Sequence, residues 1–448
     1  MSPTFNSSRR DFIKTTAALG VGYWSAGRAS AEDGAPGTQP AESPSEKVRF
    51  ACIGVGGKGE GDLHDAGRLA QVVAICDVDD AKLAEAAERF PNAKKFYDFR
   101  DLLDKMAGQI DAVTVSTPDH THAAATIRAM KEGKAVFCQK PLTHSLWEAR
   151  RVAQVARETK VATQMGNQGT ASRVLRKSAA MVRGGLLGPV HEVHAWTNRP
   201  IWPQGGPRPE SKPVPPGLHW QEWLGPAPER DYADGYHPFA WRGWWDFGTG
   251  ALGDMGCHTM NMPFMALDLR DPVSVMAETA GHNKDSYPKW AIVQYQFAAT
   301  DKRPAIKMTW YEGGKQPPLE LLEGAPINDC GSLIIGERGK LYSPGSDGNT
   351  LTLLGGLKEP DDVTVRESPG HFEEFVAAIK GGEPAVSNFA DYAGALTETV
   401  LLGNLAVWTA DSGSGPTVEW DAKNLVAKNV PGLERLIEPE YRPGYSIG

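Results

Sequence analysis

The sequence predicts an α/β chain. An N-terminal doubly wound domain with a parallel sheet is followed by an α+β domain built on one large, mostly antiparallel, open sheet. Three observations carry this. Strand-like and helix-like periods alternate over 48–165. A glycine-rich turn, Gly54-Val55-Gly56-Gly57-Lys58-Gly59, joins the first strand to the first helix. Beyond Gly166, strand-like runs separated by turn residues replace the alternation.

The first strand, 48–54, is a short apolar run, and a helix is expected over 60–69. A second strand, 71–76, ends at Asp77. Strand, Gly-x-Gly-x-x-Gly, helix, strand and acid thus follow at the spacing of a Rossmann dinucleotide site. Gly54, Gly56 and Gly59, with Gly57 in the same turn, let the backbone approach a pyrophosphate, whose charge then sits on the helix N-terminus. Asp77 can accept hydrogen bonds from an adenosine ribose. Its carboxylate repels a 2′-phosphate, so NAD is expected rather than NADP. Further strands are expected at 94–97, 111–116, 134–138 and 161–165, with helices at 79–89, 122–131 and 145–158. These units make a dinucleotide-binding domain over 48–168.

The second domain, 169–448, opens with a helix at 171–183 and a strand at 190–196. A long loop, 197–239, is rich in Pro, Gly and Trp. A helical segment over 251–267 precedes strand-like runs at 273–279, 290–298, 304–310, 332–335 and 351–354. Helical patterns return at 371–380 and 392–408. This domain is expected to hold substrate and to make the contacts of a homo-oligomer.

Residues 1–31 carry four basic side chains against Asp11, a balance of +3; the full chain is at −8, so the remainder stands at −11. Such an acidic body repels nucleic-acid phosphates. Ser8-Arg9-Arg10-Asp11-Phe12-Ile13-Lys14, a weakly apolar stretch and Ala29-Ser30-Ala31 resemble a twin-arginine export signal with its cleavage site. A periplasmic or otherwise exported protein is expected, with 32–47 as a linker and no membrane insertion after cleavage. Five cysteines without a Cys-x-x-Cys pair argue against a disulfide framework or a cysteine-based zinc site. Cys52, Cys76 and Cys138 fall in expected core strands.

Lys140, in Cys138-Gln139-Lys140-Pro141, ends the fifth strand, and ligands of doubly wound sheets sit beyond the carboxyl ends of the strands. Asp254 and His258 are spaced i, i+4, so one helix face carries both. A carboxylate beside an imidazole orients it and raises its basicity, which suits a base that takes a hydroxyl proton. Asn261, one turn on, can hydrogen-bond a polyol. Seven of the 13 tryptophans lie between Trp196 and Trp245. Sugar stacking and plain packing both fit them. Arg242 lies within this stretch, beside Trp241. His120, His122 and His144 lack a carboxylate–histidine set at ligand spacing, so no metal is expected.

The glycine turn, Ser116-Thr117-Pro118-Asp119-His120-Thr121-His122, Gln139-Lys140-Pro141 and Asp254-x-x-x-His258 occur in an order that resembles the Gfo/Idh/MocA oxidoreductases over roughly 48–410. The resemblance implies a sugar or polyol on the open face of the second sheet. It implies Lys140, Asp254 and His258 as the catalytic trio. Ser116, Thr117, Pro118, His120 and Gln139 join the glycine turn and Asp77 around NAD, and Gln168, Trp241, Arg242 and Asn261 are candidate substrate contacts. Two residues depart from the pattern: Gln139 stands where the family usually has Glu, and Asn261 where Asp is common. The implied activity is an exported NAD-dependent oxidation of a sugar, polyol or glycoside. The cofactor would be carried in tightly bound and reset within each cycle. A redox-neutral glycosidase of the same family and a non-catalytic carbohydrate-binding protein are the alternatives.

Overall fold

The computed structural model describes residues 47–448. The expected export signal and the linker up to residue 46 lie outside the described residues. The first sheet is parallel throughout, with strand order β3-β2-β1-β4-β5-β6. Its strands are β1 (Arg49–Ile53), β2 (Gln71–Cys76), β3 (Lys94–Phe96), β4 (Ala112–Val115), β5 (Ala135–Cys138) and β6 (Thr163–Met165). The helices between them are α1 (Lys58–Leu69), α2 (Asp80–Arg89), α3 (Phe99–Met106), α4 (Asp119–Lys131) and α5 (Leu146–Thr159). The central strands β1, β4 and β5 are near-continuous buried runs, as expected of a parallel sheet covered on both faces. The strand order reverses between β1 and β4, so a crevice opens beyond their carboxyl ends.

The chain continues through α6 (Arg173–Arg183), β7 (Val190–Thr197), α7 (Trp220–Leu224), α8 (Gly250–Thr259) and α9 (Asn261–Leu267). The ten-stranded second sheet also holds β8 (Ser274–Thr279), β9 (Ala291–Phe297), β10 (Ile306–Tyr311), β11 (Cys330–Gly336), β12 (Gly339–Pro344) and β13 (Thr352–Leu354). After α10 (His371–Ile379) and α11 (Gly394–Thr409) come its short strands β14 (Gly413–Ser414), β15 (Val418–Asp421) and β16 (Val426–Ala427). Only β7 and β10 pair in parallel; the other pairs are antiparallel.

Three features differ from the sequence reading. Helix α3 was not expected, although Phe99, Leu102, Leu103 and Met106 repeat at helical spacing and Asp98 caps the first turn. Strand β12 forms a tight hairpin with β11, and α7 interrupts the long loop. Packing also crosses the two halves of the chain. Phe372 and Phe375 of α10 lie against Phe50 of β1 and Phe137 of β5, with ring centroids 4.9–6.1 Å apart. A helix from late in the chain thus seals the core of the first sheet.

Candidate functional site

The glycine turn leaves β1 and enters α1. A Cβ at Gly59 would meet the Gly54 carbonyl oxygen at 2.0 Å, and one at Gly54 would meet Ser116 O at 2.6 Å. Only glycine permits these approaches. At Gly57, φ is +56° and open space lies where a side chain would stand. The N-terminus of α1 has no side-chain cap; Gly59 N and Glu60 N donate to Gly56 O and Gly57 O of the turn itself. This is the cradle a pyrophosphate needs. Asp77 supports it: one carboxylate oxygen accepts from Val55 N at 2.8 Å and Gly56 N at 3.2 Å, the other from Asp79 N at 3.0 Å. Burial pushes its carboxyl upward against these N–H donors.

A strap from the second half of the chain crosses the same rim. His219 N donates to Val78 O, Asp80 N donates to Gly217 O, and the His219 ring stacks on Tyr97 at 3.8 Å. Further along, Trp223 O lies 2.9 Å from His120 Nε2. The segment therefore spans from the end of β2 to the start of α4.

Asp62 of α1, 2% exposed, organises the centre of the rim. Its Oδ2 accepts from Ser116 Oγ and Gln139 Nε2, each at 2.7 Å, and its other oxygen pairs with Lys58. The charge lost with Gln139 is present here as the Asp62 carboxylate. Sequence reasoning missed Asp62; its one local signal is the i, i+4 spacing to Lys58. Thr117 and Pro118 are half-buried on the same rim.

Lys140 Nζ donates to Asp254 Oδ1 at 2.9 Å and to Asp254 O at 2.7 Å. Arg242 Nε donates to the same Oδ1 at 3.3 Å, and Arg199 Nε lies 4.0 Å from Oδ2. Burial pushes Asp254 up, but Lys140 and Arg242 outweigh it and hold the carboxyl well below the usual range. Asp119, behind this group, accepts from Thr249 Oγ1 at 2.6 Å and is pushed up to about 7 by burial.

The orientation expected for the i, i+4 pair is corrected by these contacts. Asp254 is held by Lys140 and Arg242, and among the described residues no hydrogen bond or ion pair joins it to His258. The carboxylate facing His258 is Asp347, from the loop after β12, at 3.6 Å from Nδ1. His258 Nδ1 and Asp347 Oδ1 are both buried without a hydrogen-bond partner. Helix α8, which carries Asp254 and His258, settles closely against α11 because Gly256 leaves room for Val400.

Three more expected contacts fall elsewhere. Asn261 is fully buried, donates to Thr170 Oγ1 and accepts from the Tyr392 hydroxyl, so it is spent on packing rather than on a polyol. His120 is buried with its ring nitrogens against Phe247 O and Trp223 O, so the ring is spent on locking the strap; burial holds it down to about 4 against these two carbonyls. Trp241 is 6% exposed, and its ring carries the Arg242 guanidinium at 4.2 Å instead of a sugar face. The other tryptophans of this stretch also pack: Trp220 stacks on Trp223 at 4.6 Å, and Trp245 on Tyr287 at 3.7 Å. Gln168 is half-buried at the start of a short 3-10 turn. Among the described residues no cluster of three or more His, Cys, Asp or Glu is placed to hold a metal ion.

Residues 48–167 match the family model described as the oxidoreductase family, NAD-binding Rossmann fold, and residues 175–446 match its C-terminal alpha/beta domain. An inositol 2-dehydrogenase of Rubrobacter xylanophilus is 34% identical over 113 residues, covering 25% of this chain and 32% of the relative. A glycosyl hydrolase family 109 protein of Shewanella pealeana is 28% identical over 218 residues, covering 44% of this chain and 47% of the relative. The chain thus spans less than half the length of these curated relatives. The WlbA dehydrogenase of Bordetella pertussis, solved with NADH and UDP-GlcNAcA, has the same fold, with a TM-score of 0.59 at 18% identity over 83% of this chain and 99% of that one. With both family models matched in order along the chain, it belongs to the Gfo/Idh/MocA oxidoreductase family.

Proposed function

We propose that this chain is an NAD-dependent oxidoreductase of a sugar, polyol or glycoside that retains its dinucleotide between turnovers. The observation that carries the reading is Lys140 at the carboxyl end of β5, bonded to Asp254 on the helix that also bears His258. Beside it, the uncapped N-terminus of α1 and the Gly54–Gly59 approach fit a dinucleotide pyrophosphate. Asp77 favours NAD over NADP. Bound NAD supplies a hydride acceptor.

The chain's own residues do the rest. Lys140 holds the reacting hydroxyl oxygen and steadies the charge that grows on it. Asp254 holds Lys140 in place and aims it. His258 takes the hydroxyl proton as the hydrogen on the same carbon leaves with its electron pair, so that C–O becomes C=O. Asp347 faces Nδ1, which leaves Nε2 as the nitrogen open to substrate.

Retention is supported by the strap over the rim between Val78 and His120. It suits the export signal read at Arg9-Arg10, because a compartment without free NAD requires an enzyme that arrives loaded. A second reading, redox-neutral oxidation, elimination and re-reduction of a glycoside, is favoured by the resemblance to a glycosyl hydrolase family 109 protein.

Native mass spectrometry of the purified full chain tests the core of this proposal. The expected mass includes one NAD per protomer, which exchanges poorly on dialysis; protein that neither carries nor binds a dinucleotide would refute it. For export, Arg9→Lys with Arg10→Lys should hold the precursor in the cytoplasm, and an unchanged exported yield would count against that route.

A further inference from the structure

Asp254 is one carboxylate approached by three permanent or near-permanent cations: Lys140, Arg242 and Arg199. One negative charge needs one partner, so the group has a surplus of positive charge. The neighbouring acids do not cancel it. Asp119 lies behind, bonded to Thr249 and pushed toward neutrality by burial. Asp347 is committed to the far side, against His258.

Arg199 is the informative member. Its side chain is 27% exposed, yet it makes no hydrogen bond to protein among the described residues, only the 4.0 Å approach to Asp254. Its guanidinium N–H donors have no protein acceptor among these residues and stand available to a ligand. Arg242 is held ready in another way. Its guanidinium lies between the rings of Trp241 and Phe239, at 4.2 and 4.8 Å, and Nη1 donates to Phe239 O. This fixes the fork and leaves donors for a planar anion. Both arginines border the Lys140–Asp254 pair and not the glycine turn, so the anion they await belongs to the substrate side.

Resting on the oxidoreductase reading above, we infer that the substrate is an acidic sugar, whose carboxylate docks on Arg199 and Arg242 while a ring hydroxyl faces Lys140 and His258. The anion is assigned as a carboxylate on geometry, because its two coplanar oxygens match a guanidinium edge.

The test uses the full chain with its bound cofactor. Four probes are offered: glucose, glucuronate, methyl glucuronate ester and glucose 6-phosphate. Cofactor reduction is followed by nicotinamide absorbance, and binding by calorimetry, on wild type and Arg199→Gln. Glucuronate should exceed the ester in kcat/KM, or in affinity where turnover is slow, on the order of ten- to a hundredfold. Arg199→Gln should collapse that ratio toward one, mainly through KM. Equal handling of acid and ester, preference for the phosphate, or an unchanged ratio in the variant would overturn the inference. Oxidation of glucose but not of glucuronate would sink it while sparing the oxidoreductase reading. Charge-selective binding of glucuronate without reduction of any probe would do the reverse.

Discussion

Asp347 Oδ1 lies 3.6 Å from His258 Nδ1, and both atoms are buried without a hydrogen-bond partner. The two residues come from different elements, a loop beyond β12 and the last turn of α8. Burial pushes the Asp347 carboxyl up, but His258 and Ser346 outweigh it and hold it below its ordinary value. An anion beside Nδ1 fixes which nitrogen bears the proton and stabilises the imidazolium that forms during base catalysis. Asp347→Asn removes the charge and keeps the shape. It should lower kcat on the order of ten- to a hundredfold, part of what a general base contributes, and move the acidic limb of the pH–rate profile. An unmoved profile with near-normal kcat would leave Asp347 a packing residue.

Lys140 and His258 should be needed for turnover and far less for holding NAD. His258→Ala should cost on the order of a hundred- to ten-thousandfold in kcat. Lys140→Met keeps bulk and removes the charge, so it also tests what becomes of Asp254 without its closest cation. Both variants should still carry dinucleotide by native mass spectrometry. Reduction of bound cofactor at the wild-type rate in both would remove them from the chemistry.

The quartet of Lys58, Asp62, Ser116 and Gln139 holds one carboxylate, which predicts a reciprocal exchange. Gln139→Glu alone places a second acid against Asp62 and removes a donor. It should cost about 1–3 kcal/mol in chemical denaturation and weaken NAD binding. Adding Asp62→Asn returns the set to one acid and one amide and should recover most of both losses. A double variant no better than Gln139→Glu would show that the carboxylate's position matters as much as its presence.

Glu312 is 3% exposed, with Trp310 Nε1 as its hydrogen-bond donor at 2.9 Å, and burial pushes it up to about 8. A carboxyl whose folded value lies above its unfolded value of 4.5 stabilises the fold at low pH. That contribution is lost as pH rises through about 8. Glu312→Gln keeps an acceptor for Trp310 and cannot ionise. Thermal unfolding between pH 5 and 8 should therefore decline less in the variant than in the wild type. Parallel curves would show that Glu312 is already ionised in the fold.

Local pattern accounts for what the sequence made legible. The six parallel strands, the glycine turn and the helix bearing Asp254 and His258 are written in runs of adjacent residues, where period and turn chemistry act. Helix α3 is equally written, in Phe99, Leu102, Leu103 and Met106, but it is short and charged between them, which weakens its signal. The site was less legible for a different reason. Asp347 meets His258, Arg199 meets Asp254, and Asp62 meets Gln139 only because separate elements converge. Asp347 sits in a Gly-Ser-Asp-Gly turn that reads as any surface loop. The i, i+4 spacing of Asp254 and His258 was real, yet it misled about partners: three cations claimed the aspartate before the histidine could.

Helix α8 has almost no padding. A Cβ at Gly256 would meet both methyls of Val400 at 3.0 Å, and one at Gly253 would overlap the Thr249 side chain. Substitutions along this helix therefore shift Asp254 and His258 together, and a bulkier residue at 400 in α11 would do so from behind. Arg199 and Arg242 sit outside it, one just past the end of β7 and one in a 3-10 turn. The molecule thus separates an inflexible chemical register from a rim that can be rewritten. Laboratory evolution toward new substrates should find its gains at Arg199 and Arg242 and its casualties at Gly253, Gly256 and Val400.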